Sequence, residues 1–508
     1  MSNIIIGKHT LESLTTGMYS DPYVVFREYI QNSADSIDNA IRLNIIEPGS
    51  DEITIRLSPA ERKIVIADNG TGISSEIAEQ TLISIGNSKK SSDLDRGFRG
   101  IGRLAALGYC STLTFETSTV SETEGTRIVI DSNRLSQLLT AKDDNDVTIT
   151  DVLDQVYRTE HYQENADDHY FRVVLDGVEE SSGLNDYNSV VAYVSQNAPV
   201  PYDPISFTWG NEIAQRLLRE GLRINSYNIS VSFGNIATKI FKPYKDRFLV
   251  DKGKNQFDQL QDIELVKIKQ SDGTILAIGW IGKTSYLGSI YDKTVKGLRL
   301  RKGNILIGDS QTLNTVFKDA RFNGWSIGEL FVITSQLIPN ARRDNFEKTP
   351  AYFVLMEQLQ KIAVGITKEI RSTSLRRNQE LSNALSRSID TAQNAVDAIQ
   401  NGTTLSARSK ISQELSAAQK AIAESKVEDD TGLYYQEIAF DELDMLIGTL
   451  KGATSFKAIN ALKTLTKTEK KILERVFRTI VDELGPSSES LINAIVEDFS
   501  TTQGDYES

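Results

Sequence analysis

Glu28, Asn32 and Asp35 lie four and three residues apart in the run Arg27-Glu28-Tyr29-Ile30-Gln31-Asn32-Ser33-Ala34-Asp35. On a helix that spacing puts all three on one face. A carboxylate one turn from an amide is what a water-activating base beside a magnesium ligand requires. The same stripe also suits the solvated side of an amphipathic helix. A second group follows in Ile64-Val65-Ile66-Ala67-Asp68-Asn69-Gly70-Thr71-Gly72, where an apolar strand delivers Asp68 onto a loop with two glycines. Gly70 and Gly72 would let backbone approach a flat ligand, although Asp-Asn-Gly is equally a hairpin turn signal. The third group is Gly86-Asn87-Ser88-Lys89-Lys90, then Gly97-Phe98-Arg99-Gly100-Ile101-Gly102-Arg103. Glycines running straight into helix-forming residues offer free backbone N–H groups and a positive helix end to phosphates. Their order is not the G-x-x-x-x-G-K-[ST] of a Walker loop.

The elements that must hold these groups can be read from periodicity. Residues 10–46 read as helical, with a turn at Asp21-Pro22 and apolar positions Val25, Tyr29, Ala34, Ile37 and Ile41 near helical spacing. Alternation predicts strands at Ile53–Leu57 and Lys63–Ile66, then at Thr112–Thr117 and Arg127–Ile130. From about Asn185 a second α/β pattern begins, with strands expected at Ser189–Val194, Ile229–Phe233, Ile275–Trp280 and Ile305–Ile307 and a helix around Ile213–Glu220. Residues 352–425 lack proline and are rich in Ala, Gln, Leu, Lys and Glu, which favours long helices. Thr466-x-x-Glu469 suits a capping box, and Gly485-Pro486 ends the helix that follows it. The fold class expected is α/β (α+β), in three parts: residues 1–184, 185–350 and an all-helical 351–508.

With 508 residues the chain exceeds a single core, and its net charge of −13 argues against coating nucleic acid or an anionic membrane. One cysteine, Cys110, excludes an internal disulfide and a cysteine-built zinc site. His9, His161 and His169 are scattered, so a histidine metal site is not expected. The opening lacks a basic start, and no apolar run approaches the ~20 residues that span a bilayer. A cytoplasmic location without membrane attachment is the expectation.

The three groups, in this order, resemble the GHKL superfamily of gyrase, ninety-kilodalton heat-shock chaperones, histidine kinases and MutL. The E-x-x-x-N-x-x-D helix, the D-x-G-x-G loop and the G-F-R-G-I-G-R-L-A box all match, the last being nearest to MutL-type boxes. The resemblance implies a Bergerat-type ATPase sandwich over residues 1–184 that binds ATP with Mg2+. Glu28 would be the general base, Asn32 the metal ligand and Asp68 the adenine contact. Asp35, Gly70, Gly72, Ser88, Lys89, Gly97, Phe98, Arg99, Gly100, Ile101 and Gly102 would complete the nucleotide site. Retention of Glu28 favours hydrolysis over phosphotransfer. The family's later Gly-Thr strand has two candidates, Gly125-Thr126-Arg127-Ile128 and Tyr170–Leu175.

Residues 185–350 look like a middle, transducer-like domain that supplies a catalytic cation. Leu298-Arg299-Leu300-Arg301-Lys302 and Pro339-Asn340-Ala341-Arg342-Arg343-Asp344 resemble the heat-shock chaperone middle domain, aligning Arg343 with its catalytic arginine. One residue is missing between proline and asparagine, so Arg342 stands as the alternative. The implied function is a chaperone-like ATPase clamp, homodimeric through its helical region, that remodels or gates a protein partner. A MutL- or MORC-like clamp on DNA in repair or defence is the alternative, with Arg99, Arg103 and the run Lys296–Lys302 meeting phosphates. A nucleotide sensor with little turnover is the third reading.

Overall fold

The structure is a computed structural model, and it describes residues 21–84, 102–141, 148–251, 253, 255–401, 405–452, 465–484 and 488–501. Two compact units emerge: residues 1–285 with 289–367, and residues 286–288 with 368–508. Among the described residues no helix is long and apolar enough to cross a membrane.

The first unit is built on an eight-stranded sheet. Its strands are β1 (Ile53–Ser58), β2 (Lys63–Asp68), β3 (Thr112–Ser118), β4 (Glu124–Asp131), β5 (Tyr157–Gln163), β6 (Tyr170–Asp176), β7 (Ile229–Phe233) and β8 (Ile236–Lys239). They run in the order β5-β4-β3-β6-β2-β1-β7-β8. The alternation legible in the sequence explains the layer. Ile53, Ile55 and Leu57 of β1 and Ile64 and Ile66 of β2 are buried, while the residues between them are less so. That buried face packs on helix α1 (Val24–Arg42), whose Val25, Phe26, Tyr29, Ile30, Ala34 and Ile37 join the same core. Burying each such side chain is worth about 1.5–3 kcal/mol.

Shorter helices follow: α2 (Ser75–Ile83), α3 (Ser132–Thr140), α4 (Ile149–Leu153), α5 (Tyr187–Asn197) and α6 (Trp209–Arg219). Their starts have local causes. The Asp131 carboxylate accepts from Arg134 N at 2.8 Å, and Thr148 and Asp151 form a reciprocal capping box.

Two expectations change here. Residues 189–194, expected as a strand, lie within α5. Asp186 caps it by accepting from Ser189 N at 2.8 Å, and Val190 and Val194, four apart, are its buried face. The β-branched residues signalled a strand, but the cap and the i, i+4 burial prevail. Second, β7 and β8 fall after the expected boundary at residue 185, yet β7 pairs in parallel with β1 as part of the first sheet. An alternating strand carries no local mark of which sheet it will join.

Beyond these lie a two-stranded ribbon, β9 (Arg247–Asp251) with β10 (Gln256–Gln259), and a five-stranded sheet. The latter contains β11 (Asp262–Lys269), β12 (Ile275–Lys283), β13 (Gly297–Lys302), β14 (Ile305–Ile307) and β15 (Ile327–Val332), ordered β11-β12-β15-β13-β14. Every residue of β15 is buried, including Glu329 at 0% exposure. Its carboxylate meets Arg301 Nε, Lys242 Nζ at 2.7 Å and the Tyr202 hydroxyl at 2.5 Å. Burial pushes the Glu329 carboxyl up, but Arg301 and Lys242 outweigh it and bring the group down to about 2. Burial, reinforced by Arg301, pushes Lys242 down to about 7.

The helices expected after residue 350 are present. They are α7 (Pro350–Arg377), α8 (Gln379–Asn401), α9 (Leu405–Glu424), α10 (Asp430–Gly452), α11 (Lys467–Leu484) and α12 (Ser488–Thr501). In the second unit Leu381, Ala395, Leu415, Ile422, Leu443 and Ile447 form one core across α8, α9 and α10. Asp429 ties this bundle together: its carboxylate accepts from Ser374 Oγ at 2.8 Å and Gly432 N at 2.7 Å, and pairs with Arg377. A smaller core centred on Phe477 and Ile492 joins α11 to α12. The expected capping box forms: Thr466 N donates to Glu469 Oε2 at 2.8 Å, and Glu469 N donates to Thr466 Oγ1 at 3.3 Å.

Candidate functional site

Helix α1 turns its polar stripe inward. Glu28 and Asp35 are 7% and 4% exposed, and Asn32 is partly buried. That is not the solvated face that the same spacing allows. Burying carboxylates costs several kcal/mol unless partners compensate, and for Glu28 the partners are basic. Arg27 Nη2 lies 3.3 Å from Glu28 Oε1, and Arg343 Nε lies 3.5 Å from the same oxygen. The other carboxylate oxygen, Oε2, faces Gly102, where a β-carbon would run into it. Glycine at 102 thus admits the Glu28 carboxylate to the end of the glycine box. Gln31, on the neighbouring face of α1, is 1% exposed, and neither atom of its side-chain amide has a hydrogen-bond partner among the described residues.

Asp68 closes strand β2, 4% exposed, opposite Ile53 on one side and Phe171 on the other. Its Oδ1 accepts from Gly70 N at 2.9 Å, which folds the chain back over the strand end. Gly70 packs on Ser36 of α1, and Gly72, at φ +63°, lies against the Ser118 carbonyl. No side chain fits at either place. Thr117 Oγ1 accepts from Ile73 N at 2.8 Å, and His169 Nδ1 lies 2.8 Å from the Gly70 carbonyl. Ser36, Thr117 and His169 were missed by sequence reasoning because they support this loop from α1, β3 and the start of β6. Their only signal would have been the sheet order. That order also separates the two candidates for the later strand: β6 pairs with β2, whereas Gly125 and Thr126 lie on β4, with β3 and β6 between it and β2.

Of the glycine box, Ser88, Lys89, Gly97, Phe98, Arg99, Gly100 and Ile101 lie outside the described residues. From Gly102 a short helical turn runs to Gly108, burying Leu104, Ala105, Ala106 and Leu107. Arg103, expected to reach phosphates, instead donates from Nε to Leu82 O at 2.9 Å and from Nη2 to Ser84 O, capping the end of α2. Burial lowers its pKa to about 10. The basic run at 296–302 is also not an exposed stripe. Arg299 and Arg301 are 2% and 1% exposed, and Lys302 Nζ donates to Thr334 O. Local charge read as a surface patch, but β13 lies inside the second sheet. Cys110 is buried, and burial pushes its thiol up to about 12, as a packing residue requires.

The two arginines of the 340–344 loop are treated differently. Arg342 is exposed, and its carbonyl accepts from Arg27 Nη2 at 3.1 Å. Arg343 points its guanidinium at Glu28. Its backbone is left-handed, φ +57°, in a turn in which Arg343 N donates to Asn340 O at 3.1 Å. Gly308 N donates to Arg343 O at 2.8 Å, fixing the turn to the second sheet. A left-handed non-glycine residue costs on the order of 1 kcal/mol and persists where its surroundings hold it. The Asn340–Asp344 side-chain bond, 2.6 Å, helps do so.

The donor set suits a magnesium nucleotide. Asp68 offers an acceptor-only group at the end of a glycine-walled loop, suited to an amino N–H. Asn32 offers an amide oxygen to a hard cation, one turn from a carboxylate placed to accept a proton. Among the described residues no group of three or more His, Cys, Asp or Glu side chains is arranged to hold a metal by itself. Magnesium here would need the phosphates as its other ligands.

Residues 19–160 match the family described as histidine kinase-, DNA gyrase B- and HSP90-like ATPase. Over 123 residues the chain is 32% identical to the DNA mismatch repair protein MutL of Lactococcus lactis subsp. lactis (strain IL1403), a stretch covering 23% of this chain and 17% of that protein. The chain thus spans less than a fifth of the length of this curated relative. These matches and the geometry together place an ATP-binding domain of the GHKL superfamily in the first part of the chain.

Proposed function

We propose, from the premise that residues 19–160 are a GHKL-type ATPase domain, that this chain hydrolyses Mg-ATP and uses the reaction to move its domains as a clamp. The observation that carries the reading is the Glu28 carboxylate, with one oxygen at the glycine box and the other 3.5 Å from Arg343 of the 340–344 loop. Glu28 Oε2 would take a proton from a water as its oxygen attacks the γ-phosphorus and the bond to the β-phosphate oxygen breaks. Asp68 would orient the base by accepting from its exocyclic amino group, with Asp35, Gly70 and Gly72 shaping the wall. Ser88, Lys89, Gly97, Phe98, Arg99, Gly100, Ile101 and Gly102 would line the phosphates. Magnesium, bound by Asn32 and the phosphates, would neutralise charge on the leaving oxygen. Arg343 would move from Glu28 onto the γ-phosphate, where charge develops, and Arg342 would brace the loop.

Because Arg343 lies on a loop beyond the second sheet while Glu28 lies on α1, phosphate contact and the position of that loop would be linked. That linkage is how hydrolysis would drive closure around a protein partner in a homodimer joined through its helical region. The 32% identity to a DNA mismatch repair protein favours a second reading, a clamp on DNA. The burial of Arg299 and Arg301 weighs against the basic stripe that reading would use. A salt series in a duplex-DNA gel shift separates the two: a slope near zero sinks the DNA reading.

The deciding experiment measures steady-state turnover and nucleotide binding for the wild type, Glu28→Ala and Asp68→Asn. Turnover in the wild type, binding without turnover in Glu28→Ala, and loss of binding in Asp68→Asn are expected. A wild type that binds ATP but turns over no faster than Glu28→Ala would make the protein a sensor.

A further inference from the structure

A cleft of about 430 Å³ opens beside the start of α1, with Arg27, the neighbour of Glu28, in its wall. Four arginines line it: Arg27 from α1, Arg299 from β13, and Arg342 and Arg343 from the loop after β15. Arg299 is 2% exposed; its Nη2 donates to Lys293 O at 2.7 Å, while its Nε is buried with no acceptor among the described residues. That Nε is itself closed to solvent, so what Arg299 brings to the cleft is its charge. Three carboxylates also line the cleft, and each is engaged. Asp21 Oδ1 accepts from Tyr23 N at 3.0 Å, Asp309 Oδ1 from Gln311 N at 2.7 Å, and Asp344 Oδ1 from Asn340 Nδ2 at 2.6 Å. Every cation of the lining is thus arginine, the side chain best matched to tetrahedral oxyanions, and four of them face three carboxylates.

From this geometry we infer that the cleft is a binding site for inorganic phosphate, separate from the seat of the nucleotide. Two of its arginines, Arg27 and Arg343, hold the same Glu28 oxygen whose twin faces Gly102. The carboxylate thus lies between the glycine box and two arginines of the lining. The choice of anion rests on reading Glu28 as the hydrolytic base: phosphate made at its carboxylate would form beside two arginines of the lining. As Arg343 returns to Glu28 it would accompany the departing ion. The cleft would then hold product long enough to keep the loop in place, making phosphate release a step that governs reopening.

The test uses the full chain without nucleotide, titrated with inorganic phosphate by calorimetry. One site in the millimolar range is expected. Arg342→Gln, at an exposed position, should weaken it about tenfold, as should Arg299→Gln, the loss typical of one charge-assisted hydrogen bond. MgADP affinity should stay within about twofold, since neither arginine faces Asp68. In turnover assays phosphate should inhibit without competing with ATP. Equal phosphate affinity in wild type and Arg342→Gln, no binding at tens of millimolar, or inhibition purely competitive with ATP would each overturn the inference. Because the titration needs no hydrolysis, its failure with turnover intact condemns this site alone. An inactive chain that still binds phosphate at these arginines would instead condemn the ATPase reading.

Discussion

Two carboxylates in the first unit are each met by two cations, and their surroundings differ. Glu329 sits on the central strand of the second sheet at 0% exposure, with Lys242 Nζ at 2.7 Å, the Tyr202 hydroxyl at 2.5 Å and Arg301 on its other oxygen. Arg301 also donates to Asn304 O and Gln196 O, so the cluster is hydrogen-bonded on every side. Glu28 has Arg27 and Arg343 at 3.3 and 3.5 Å, near the limit of an ion pair, and one of its oxygens is turned to a glycine. A closed network in a low-dielectric core resists change. An open one, reached by a side chain on a separate loop, can exchange partners at little cost. The contrast shows that composition alone, one glutamate with basic partners, does not distinguish a closed cluster from an open one; distance and saturation do.

The contrast can be broken most sharply at the two glutamates. Glu28→Gln should lower turnover by a factor of about 10²–10⁴, the usual share of a general base, with ATP binding retained by filter assay. Its unfolding free energy should change less than that of Glu329→Gln. The latter leaves Arg301 and Lys242 buried without a counter-charge and should cost about 3–5 kcal/mol in denaturant titration. If the two stability losses were equal, Glu28 would be a brace as well.

Arg343→Ala should reduce turnover by roughly 10²–10³, the scale for one donor lost from a site of developing charge, against a smaller loss for Arg342→Ala. The reverse order would move the catalytic role to Arg342. Acid sharpens the other half of the contrast. The folded-state pKa of Glu329 lies below its unfolded value, so its contribution is present above about pH 4.5 and lost as pH falls through about 2. Lys242, lowered to about 7, is also depressed; the unfolded chain binds the extra proton between 7 and 10.5, so this group's contribution rises with pH across that window. Denaturation midpoints for wild type and Glu329→Gln from pH 5 to 3 should converge as pH falls. The smallest effect belongs to the capping box: Thr466→Ala should cost about 0.5–2 kcal/mol, read in the α11–α12 hairpin by amide exchange.

Much of the candidate site is legible in the sequence. Glu28, Asn32 and Asp35 follow from helical spacing, and Asp68 with Gly70 and Gly72 from a strand that must end in a tight turn. The helices beyond residue 350 follow from composition. Residues 189–194 were misread because valines suit strands locally, and only the Asp186 cap and burial at Val190 and Val194 decide for a helix.

What the sequence determined by itself is the content of each local piece: which residues can accept a proton, which glycines leave room, which runs must be strands or helices. These depend on spacings of a few residues, where chain geometry dictates the neighbours. The tertiary structure decided everything that spans hundreds of residues. It brought Arg343 to Glu28 across 315 positions of chain, chose β6 over β4 as the strand beside Asp68, and buried Arg299 and Arg301 where charge alone suggested a surface. Such contacts are selected by how sheets stack and loops return, and no local pattern encodes them, because the same arginine satisfies its local sequence equally well in water or against a carboxylate.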